Sequence, residues 1–403
     1  MQQQTERAAL AEPMGPLAGL KILDFTQFQN GPQATVMLSD MGADVLKIEQ
    51  PGDGDPGRSL GLRDDGFCGY FETHDRGKRS ISIDLKTPQG KELVMRLAQD
   101  ADIVTENFRP GVMDRLGVGY EELRKVNPEI IYAQNSGFGI KGPYSQKGCF
   151  DIVAQGLSGA MRALGGGPNA TPEQGPWGLA DQVGAMIFAY GISLAIVAKE
   201  RYGKGQRVDV SQIGAMATLQ APSLVHYLHT GVQGEKFTNP VFAAYETLDS
   251  KWITIGILTP KWWPGLCLAI ERDDLLVDER SSSPFARMDN KEWLSGELAK
   301  SFAKLTYEQI SKKLNEADVP SAPVHDYEAV SKEAQFWDND YLIELEHQKF
   351  EGHRTVGIPV ALSETPGRVQ GPAPEYGNDT EAVLQRLGYT AEQITELKEN
   401  NVI

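Results

Sequence analysis

From Leu20 onward, short segments rich in β-branched residues alternate with helical segments, and this alternation limits the fold more than any other feature of the chain. Strands that are each separated by a helix are joined by right-handed crossovers and form a mainly parallel sheet. The sequence therefore predicts an α/β fold with a Rossmann-like large domain. The predicted strands are Lys21–Phe25, Asp44–Glu49, Ser80–Leu85, Asp102–Glu106, Ile130–Gln134 and Gln206–Val210, and the predicted helices are Pro32–Met41, Pro88–Gln99, Val112–Leu116, Tyr120–Val126, Val183–Lys199 and Gln212–His229.

The pattern changes after about Gly231. Two alternating segments, Phe242–Leu248 and Trp252–Leu258, are separated by a polar turn and are predicted to form an antiparallel hairpin. Further predicted helices are Lys261–Glu271, Lys291–Phe302, Tyr307–Ala317, Thr380–Leu387 and Ala391–Glu399.

These changes in pattern predict three segments of the chain. We expect residues 1–230 to form the first part of the large domain and residues 231–325 to form a smaller α+β domain. Residues 326–403 are expected to return to the large domain. The glycine-rich stretch that includes Gly165–Gly167 and Gly175–Gly178 is predicted to be a loop that can move.

Composition and charge exclude several classes of partner. The net charge of −16 disfavours binding to nucleic acid and to anionic membranes. Three widely spaced cysteines without a CxxC pair predict neither a disulfide framework nor a zinc ribbon. The polar start, Met1–Arg7, predicts a loose tail rather than a signal peptide, and the apolar run Ala185–Ala198 predicts a buried helix too short to cross a bilayer. We therefore expect a cytoplasmic protein.

The common cofactor motifs are absent or incomplete. Gly137–Gly142 matches GxGxxG, but neither a helix start nor an acidic residue about twenty positions on follows it, so a plain glycine loop is favoured over a dinucleotide site. The sequence contains no P-loop, no GxSxG and no HExxH motif. His226 and His229 are better explained by helix packing than by metal binding, and no metal is expected.

The segment Glu106–Gly117 follows a predicted strand and combines an amide, an aromatic ring and two arginines. In open α/β sheets, ligands bind beyond the carboxyl ends of the strands. Arginine presents a fork of donors that matches phosphate, so the segment predicts a site for a nucleotide phosphate. Many basic residues of this region are expected to be solvated surface charges. Those that flank strand ends are the better candidates for phosphate contacts: Lys78, Lys86, Arg109 and Arg115.

Asp181 admits two interpretations from the sequence. An Asp at the start of a helix is usually an N-cap. The helix that follows is apolar enough to be buried, however, and the carboxylate would then lie at a sheltered helix N-terminus under the glycine-rich loop. We expect the helix dipole to keep such a carboxylate ionised, which would make it a competent nucleophile toward a thioester.

Several segments, in order, resemble the class III CoA-transferases, the family of formyl-CoA and carnitine CoA-transferases. The similarity spans the chain from Leu17 and rests on Pro16–Phe25, Gly42–Glu49, Lys78–Lys86, Glu106–Gly117, Ser136–Gly139, Gly142–Tyr144 and Gly203–Val210. The resemblance implies a Rossmann-like large domain, a small domain and an interlocked dimer. It leaves open whether the second chain is identical or a related subunit.

The resemblance also implies site residues and a mechanism. Coenzyme A would be carried as a thioester substrate, with no permanently bound cofactor and no metal. Asp181 would be the nucleophile, forming an acyl-aspartyl anhydride and then an aspartyl-CoA thioester, and Asp151 would lie near the substrate. Gln29 is a candidate for oxyanion stabilisation. The implied contacts to coenzyme A are Gln29, Asn30, Ile83, Lys86, Asn107, Phe108, Arg109 and Arg115.

Two departures from related patterns narrow the expected reaction. Racemases of the same fold place a histidine where this chain has Phe150, which cannot transfer protons, so a racemase is the weaker alternative. The run of glycines that covers the active aspartate in formyl-CoA transferases is missing between Asn239 and Lys251, and Gln50 stands where an arginine contacts CoA in that group. Both departures disfavour oxalate or formate as the substrate. We expect transfer of CoA from an acyl-CoA, such as succinyl-CoA, to a small acid such as a dicarboxylate. A non-catalytic CoA-binding subunit is the other alternative.

Overall fold

The computed structural model describes residues 15–234 and 238–403. The chain divides into two compact units: the larger holds the described residues up to Gln233 together with Trp337–Ile403, and the smaller is Gly234–Phe336. The short helix Tyr327–Val330 thus belongs to the smaller unit, beyond the boundary at 325 that the sequence pattern predicts. The loose tail predicted at Met1–Arg7 lies outside the described residues.

A six-stranded parallel sheet forms the centre of the larger unit. Its strand order is β3-β2-β1-β4-β5-β6, so the chain starts in the middle and builds outward in both directions. This is the order of the doubly wound Rossmann fold, and it confirms the predicted α/β class. The strands are β1 (Lys21–Asp24), β2 (Asp44–Glu49), β3 (Arg79–Ser82), β4 (Ile103–Glu106), β5 (Ile131–Ser136) and β6 (Arg207–Ser211).

Helices cover both faces of this sheet because neighbouring strand residues point to opposite sides. Leu23 packs with helices that follow β3 and β4 and with the C-terminal helices, whereas Ile22 packs with the helix after β1 and with a long helix that begins at Leu179. The helices of the larger unit are α1 (Asn30–Asp40), α2 (Gly69–Asp75), α3 (Pro88–Ala98), α4 (Val112–Leu116), α5 (Tyr120–Val126), α6 (Asp151–Leu157), α7 (Ala160–Leu164), α8 (Leu179–Tyr202), α9 (Gln212–Leu219), α10 (Ala221–Thr230), Thr380–Arg386 and Ala391–Glu399. The helix Ala334–Trp337 has all but its last residue in the smaller unit.

Helix α8 is longer than predicted and is buried on one face only. Phe188 and Ile192 are inaccessible in the core, whereas Met186, Tyr190 and Leu194 are about half exposed. By length and composition alone the helix could cross a membrane, so the prediction that it is too short was wrong. Its packing against the sheet identifies it as a core helix of the larger unit.

One local prediction in the larger unit was also wrong, and two short helices were missed. The predicted single helix Gln212–His229 is two helices, because Pro222 has no N–H to donate to the preceding turn and a new helix starts at Ala221. The stretch predicted as a glycine-rich loop has no helix or strand from Gly165 to Gly178, as expected. The two short helices that precede it, α6 and α7, were not predicted.

The smaller unit contains an antiparallel sheet packed against helices. The predicted hairpin is confirmed as β7 and β8, paired from Phe242 with Gly256 to Glu246 with Trp252, and β9 adds a third strand. The side chains of Ile253, Leu266 and Phe302 are inaccessible in its core. The elements are β7 (Phe242–Glu246), β8 (Trp252–Gly256), β9 (Ser321–Pro323) and the helices Trp263–Ala269, Asp274–Val277, Pro284–Asp289, Lys291–Phe302, Tyr307–Glu316 and Tyr327–Val330. A separate two-stranded hairpin, β10 (Leu342–Glu344) with β11 (Arg354–Val356), belongs to the larger unit.

Candidate active site

A cavity of about 370 Å³ lies beyond the carboxyl ends of the parallel strands. The turn after β1, the segment after β4, the end of β5 and the first residue after β6 all contribute to its wall, together with the start of α8. The lining residues are Gln27, Phe28, Gln29, Asn30, Asn107, Phe108, Arg109, Pro110, Asn135, Gly137, Ser145, Lys147, Gly148, Cys149, Phe150, Asp181 and Gln212. This is the sheet edge at which ligands bind in open α/β folds.

Asp181 lies in the first turn of α8 and faces the cavity. Burial and repulsion from Asp151 raise the pKa of Asp181 to about 7, although a hydrogen bond from Gln212 acts in the opposite direction. The expected effect of the helix dipole is therefore opposed first by burial and then by Asp151, a second carboxylate at the same helix N-terminus.

Asp151 occupies the position of a cap for helix α8. Its Oδ1 accepts hydrogen bonds from the backbone N–H groups of Ala180, at 2.7 Å, and Asp181, at 3.3 Å. Its Oδ2 accepts a hydrogen bond from Gln155 at 2.7 Å. Gln155 is fully buried and also exchanges two hydrogen bonds with the backbone of Gly175. One side-chain pair therefore ties the glycine-rich loop to the N-terminus that carries Asp181.

Gln212 is a site residue that the sequence interpretation missed. It follows β6 directly, is 5% exposed, and donates a hydrogen bond from Nε2 to Oδ1 of Asp181. Because it begins a helix at the carboxyl end of a strand, its position in the sheet could have indicated it.

The turn between β1 and α1 is held in an unusual conformation. Phe28 has a φ of 65°, which an L-residue other than glycine seldom adopts. Its N–H donates to Oδ1 of Asp55 at 3.1 Å, and its ring contacts Phe150 edge to face at 5.7 Å between centroids. This conformation directs Gln29 and Asn30 into the cavity wall.

Gln29 is anchored to the loop before α8. Its Nε2 donates to the carbonyl oxygen of Trp177 at 2.9 Å. A Cβ at the next residue, Gly178, would approach the Gln29 amide to 2.7 Å, so only glycine fits there. The amide predicted to stabilise an oxyanion thus makes a structural contact.

Two buried lysines support this end of the sheet. Lys47 pairs with Asp55 at 2.7 Å and with Asp75 at 3.0 Å, and Lys78 pairs with Asp75 at 2.7 Å and with Asp24 at 3.1 Å. Burial raises the pKa of Asp24, but the two lysines more than compensate and hold that pKa well below its usual range. The prediction of Lys78 as a phosphate contact was wrong, because its side chain is inaccessible and its ammonium group is already paired.

Two asparagines in the cavity wall have buried polar atoms without a hydrogen-bond partner among the described residues. Within that part of the chain, neither side-chain atom of Asn30 has a partner, and Asn135 lacks one at Oδ1 while its Nδ2 donates to the Gly184 carbonyl at 3.2 Å. Buried polar groups are nearly always paired, so these atoms are placed to meet a ligand or water.

The segment after β4 brings the predicted amide, ring and arginine together. Asn107 exchanges two hydrogen bonds with the backbone of Gln27, at 2.8 and 2.9 Å, and thereby fixes the two loops against each other. Phe108 and Arg109 line the same cavity. The Arg109 guanidinium lies so close to Gly148 that a Cβ there would approach Nη2 to 2.6 Å.

Three predicted coenzyme A contacts do not line this cavity. Ile83 is 1% exposed and its side chain is in the sheet core, so that side chain cannot contact a ligand. Lys86 and Arg115 are exposed near the ends of β3 and β4. Within residues 15–234 and 238–403, no three His, Cys, Asp or Glu side chains are grouped to hold a metal ion.

Comparison with known proteins identifies the family. The sequence profile of CoA-transferase family III matches residues 17–380. The chain belongs to this family. It is 35% identical to an acetyl-CoA:oxalate CoA-transferase of Acetobacter aceti, with 88% of this chain and 90% of the relative covered.

Two further relatives match almost the whole length of this chain. A succinyl-CoA:mesaconate CoA-transferase of Haloarcula hispanica is 33% identical, over 93% of this chain and 97% of its own. The crystal structure of a CaiB/BaiF family protein from Brucella suis superposes with a TM-score of 0.82 at 29% identity, over 93% and 99% of the two chains. The protein is therefore a class III CoA-transferase, an enzyme that uses CoA thioesters and carboxylic acids as substrates.

Proposed function

We propose that this transferase moves CoA from an acyl-CoA donor to a free carboxylic acid through two covalent intermediates on Asp181. The observation that carries the proposal is the position of Asp181 in the cavity shared by Asn107, Phe108 and Arg109. One of its oxygens, Oδ1, is held by Gln212, and the other has no hydrogen bond from any residue the structure describes. A carboxylate with one fixed and one available oxygen is oriented for attack.

The proposed reaction exchanges bonds without any change of oxidation state. Oδ2 of Asp181 attacks the thioester carbonyl, the C–S bond breaks, and CoA leaves as a thiolate from an acyl-aspartyl anhydride. The thiolate attacks the aspartyl carbonyl, releases the first acid as its carboxylate, and leaves an aspartyl-CoA thioester. The acceptor carboxylate then repeats the two steps in reverse order. One thioester replaces another, so no ATP is required.

The cavity offers a path for the CoA chain. Phe108 supplies a flat face, and Arg109 and Lys147 supply positive charge at the rim. Lys147 also lies 3.9 Å above the ring of Tyr144. Lys86 and Arg115 lie on the surface near the same sheet edge, where the diphosphate and the ribose phosphate of CoA would attract them.

Succinyl-CoA as donor and a small dicarboxylate as acceptor are the substrates we propose. The family relatives include enzymes named for succinyl-CoA and mesaconate and enzymes named for oxalate, at comparable identity. Four amides, Gln29, Asn30, Asn135 and Gln212, line the wall beside Asp181, and such a wall favours a polar acyl group. The rim cations Arg109 and Lys147 are suited to a second carboxylate.

We propose that two copies of the chain associate as an interlocked dimer in the cytoplasm. The exposed face of α8 supports association, because Met186, Tyr190, Leu194 and Val197 form an apolar stripe with a helical repeat. A related second subunit would cover the stripe equally well. Mass measurement of the purified chain in solution distinguishes a self-associating chain from one that remains monomeric without a partner.

The proposed function is tested with a panel of acids. Succinyl-CoA is incubated with one acid at a time, and the CoA esters are identified by mass spectrometry. Wild-type protein is expected to form a new CoA ester from at least one small acid, and Asp181→Asn is expected to form none. Retained turnover in Asp181→Asn would refute Asp181 as the nucleophile.

Two further measurements distinguish the alternative functions. A racemase would exchange the α-proton of a branched acyl-CoA with deuterium without any acceptor acid. The residue at its proton-transfer position, Phe150, is an exposed aromatic ring packed on Phe28. Binding of CoA without any ester exchange would instead support a non-catalytic subunit.

A further inference from the structure

Gln212 is held rigidly beside the nucleophile. The side chain of the preceding Ser211 accepts a hydrogen bond from Gly214 at 3.2 Å and so caps helix α9. The N–H of Ile213 donates to the carbonyl of Gly137 at 3.2 Å, which ties the start of α9 to the segment after β5. The amide of Gln212 therefore reaches Oδ1 of Asp181 from a fixed strand–helix junction and not from a free loop.

The chemistry of the second step gives this contact a specific consequence. Once Oδ2 of Asp181 has become the bridging oxygen of the anhydride, Oδ1 is the carbonyl oxygen of the aspartyl group. When the CoA thiolate attacks the aspartyl carbonyl carbon, the negative charge develops on Oδ1. The donor Nε2 of Gln212 is already hydrogen-bonded to that oxygen.

We propose that Gln212 is the oxyanion donor for formation and breakdown of the aspartyl-CoA thioester. The thiolate forms the S–C bond, the carbonyl electrons move to Oδ1, and collapse of this oxyanion breaks the C–O bond to the first acid. The acid departs as a carboxylate, and no proton needs to move. A preorganised donor at a developing oxyanion is among the largest contributions that a single side chain makes to catalysis. This inference rests on the proposed function of Asp181.

The other polar groups around Asp181 do not supply this donor. The Gln29 Nε2 donates to the Trp177 carbonyl, and Asp151 is an acceptor at the helix N-terminus. The Asn30 amide lines the cavity wall and has no partner in residues 15–234 and 238–403, so it is available to the carbonyl oxygen of the incoming acyl group, which is a different atom.

The charged and titratable groups that face Asp181 also predict how kcat/KM depends on pH in the Gln212 variants. Asp151 and the buried surroundings raise the pKa of Asp181, and the Gln212 hydrogen bond lowers it. Tyr70 and Cys149 also interact electrostatically with Asp181, and both have raised pKa values. The cations Arg109 and Lys147 line the same cavity. Removal of the Gln212 donor should therefore move the acid limb of kcat/KM to higher pH.

Two substitutions at Gln212 and one matched control test the proposal. Gln212→Met keeps the length of the side chain without the donor, and Gln212→Glu keeps its shape but replaces the donor by a carboxylate. Gln220→Met is the control, because Gln220 lies at the other end of α9 and its Nε2 donates to the Ser158 and Met216 carbonyls. Each protein is mixed rapidly with the acyl-CoA that the wild type turns over.

Loss of the donor should slow the second step more than the first. Both Gln212 variants are expected to lose about 10²–10³-fold in kcat and to release free thiol in a burst that approaches one per Asp181. Borohydride trapping should then detect less aspartyl thioester than in the wild type. The role of Gln212 would be overturned if either Gln212 variant gave wild-type levels of trapped thioester and no thiol burst. It would also be overturned if Gln220→Met lost as much kcat as the Gln212 variants. If Asp181→Asn is inactive while Gln212→Met is normal, this inference fails and the proposed function stands.

Discussion

Replacing Asp181 by Asn should stabilise the protein while it abolishes turnover. Asn has the same shape, and its Oδ1 can still accept the hydrogen bond from Gln212. It carries no charge to repel Asp151 or to oppose burial. If Asp181 is the nucleophile as proposed, its place in a site that penalises the charged form is a trade-off between stability and activity.

The size and the pH dependence of the gain follow from the raised pKa of Asp181. One pKa unit corresponds to about 1.4 kcal/mol, so a pKa raised from 3.8 to about 7 destabilises the folded chain by up to about 4 kcal/mol above neutral pH. Between these two pKa values the unfolded chain is ionised while the folded carboxyl is protonated. The penalty therefore grows with pH, and it is absent below the ordinary pKa.

The assay is denaturant unfolding of wild type and Asp181→Asn at pH 5 and at pH 8, without CoA. We expect the variant to be more stable at both pH values, with an advantage about 2–3 kcal/mol larger at pH 8. The exposed Asp53→Asn is a control for the loss of one negative charge. An advantage that does not change with pH, or a loss of stability at pH 8, would contradict the assigned electrostatics of the site.

Three further predictions address the nucleophile, the loop before α8 and the buried charges. With acyl-CoA varied, kcat/KM should rise with pH and level off above about 7, because the proposed attack on the thioester requires the ionised form of Asp181, whose pKa is raised to about 7. A flat profile between pH 5.5 and 8.5 would argue against this role of Asp181. Gly178→Ala should reduce kcat about tenfold or more by displacing Gln29, whereas Gly203→Ala, at a similar positive φ at the other end of α8 with open space around it, should affect stability alone. Lys47→Met should lower the free energy of unfolding by about 3–5 kcal/mol, because Asp55 and Asp75 lose a buried partner; a loss no larger than that of the exposed Lys125→Met would contradict this.

The strands and most helices of the larger unit could be predicted because their signals are local. Strand β2 was predicted over its exact range, since five buried residues follow Asp44 without interruption. Helix α3 was predicted from its first proline, and Thr87 caps it as expected for that sequence. The break between α9 and α10 was missed although Pro222 marks it, because the apolar pattern continues across it.

The site was only partly accessible to sequence reasoning because its decisive contacts are not local. Asn107, Phe108 and Arg109 were predicted correctly to meet at a sheet edge, as they are neighbours in the chain. The contact between Gln212 and Asp181 joins residues 31 positions apart, and no local pattern in either segment indicates that the two side chains meet. The burial of Lys78 likewise depends on Asp24, which reaches it only after the sheet has formed.

The cavity wall has two parts with different structural support, and this affects how its chemistry can be changed. The inner wall comes from ends of sheet strands and from α8, and buried ion pairs and caps fix it. The outer wall at positions 145 and 147–150 is one short surface stretch, in which Lys147 and Phe150 are exposed. Exchange of that stretch between relatives is expected to alter this part of the cavity wall while leaving Asp181 and its hydrogen bonds in place. We therefore expect a change in the accepted acid to arise more readily from substitutions in this stretch than from substitutions in the inner wall.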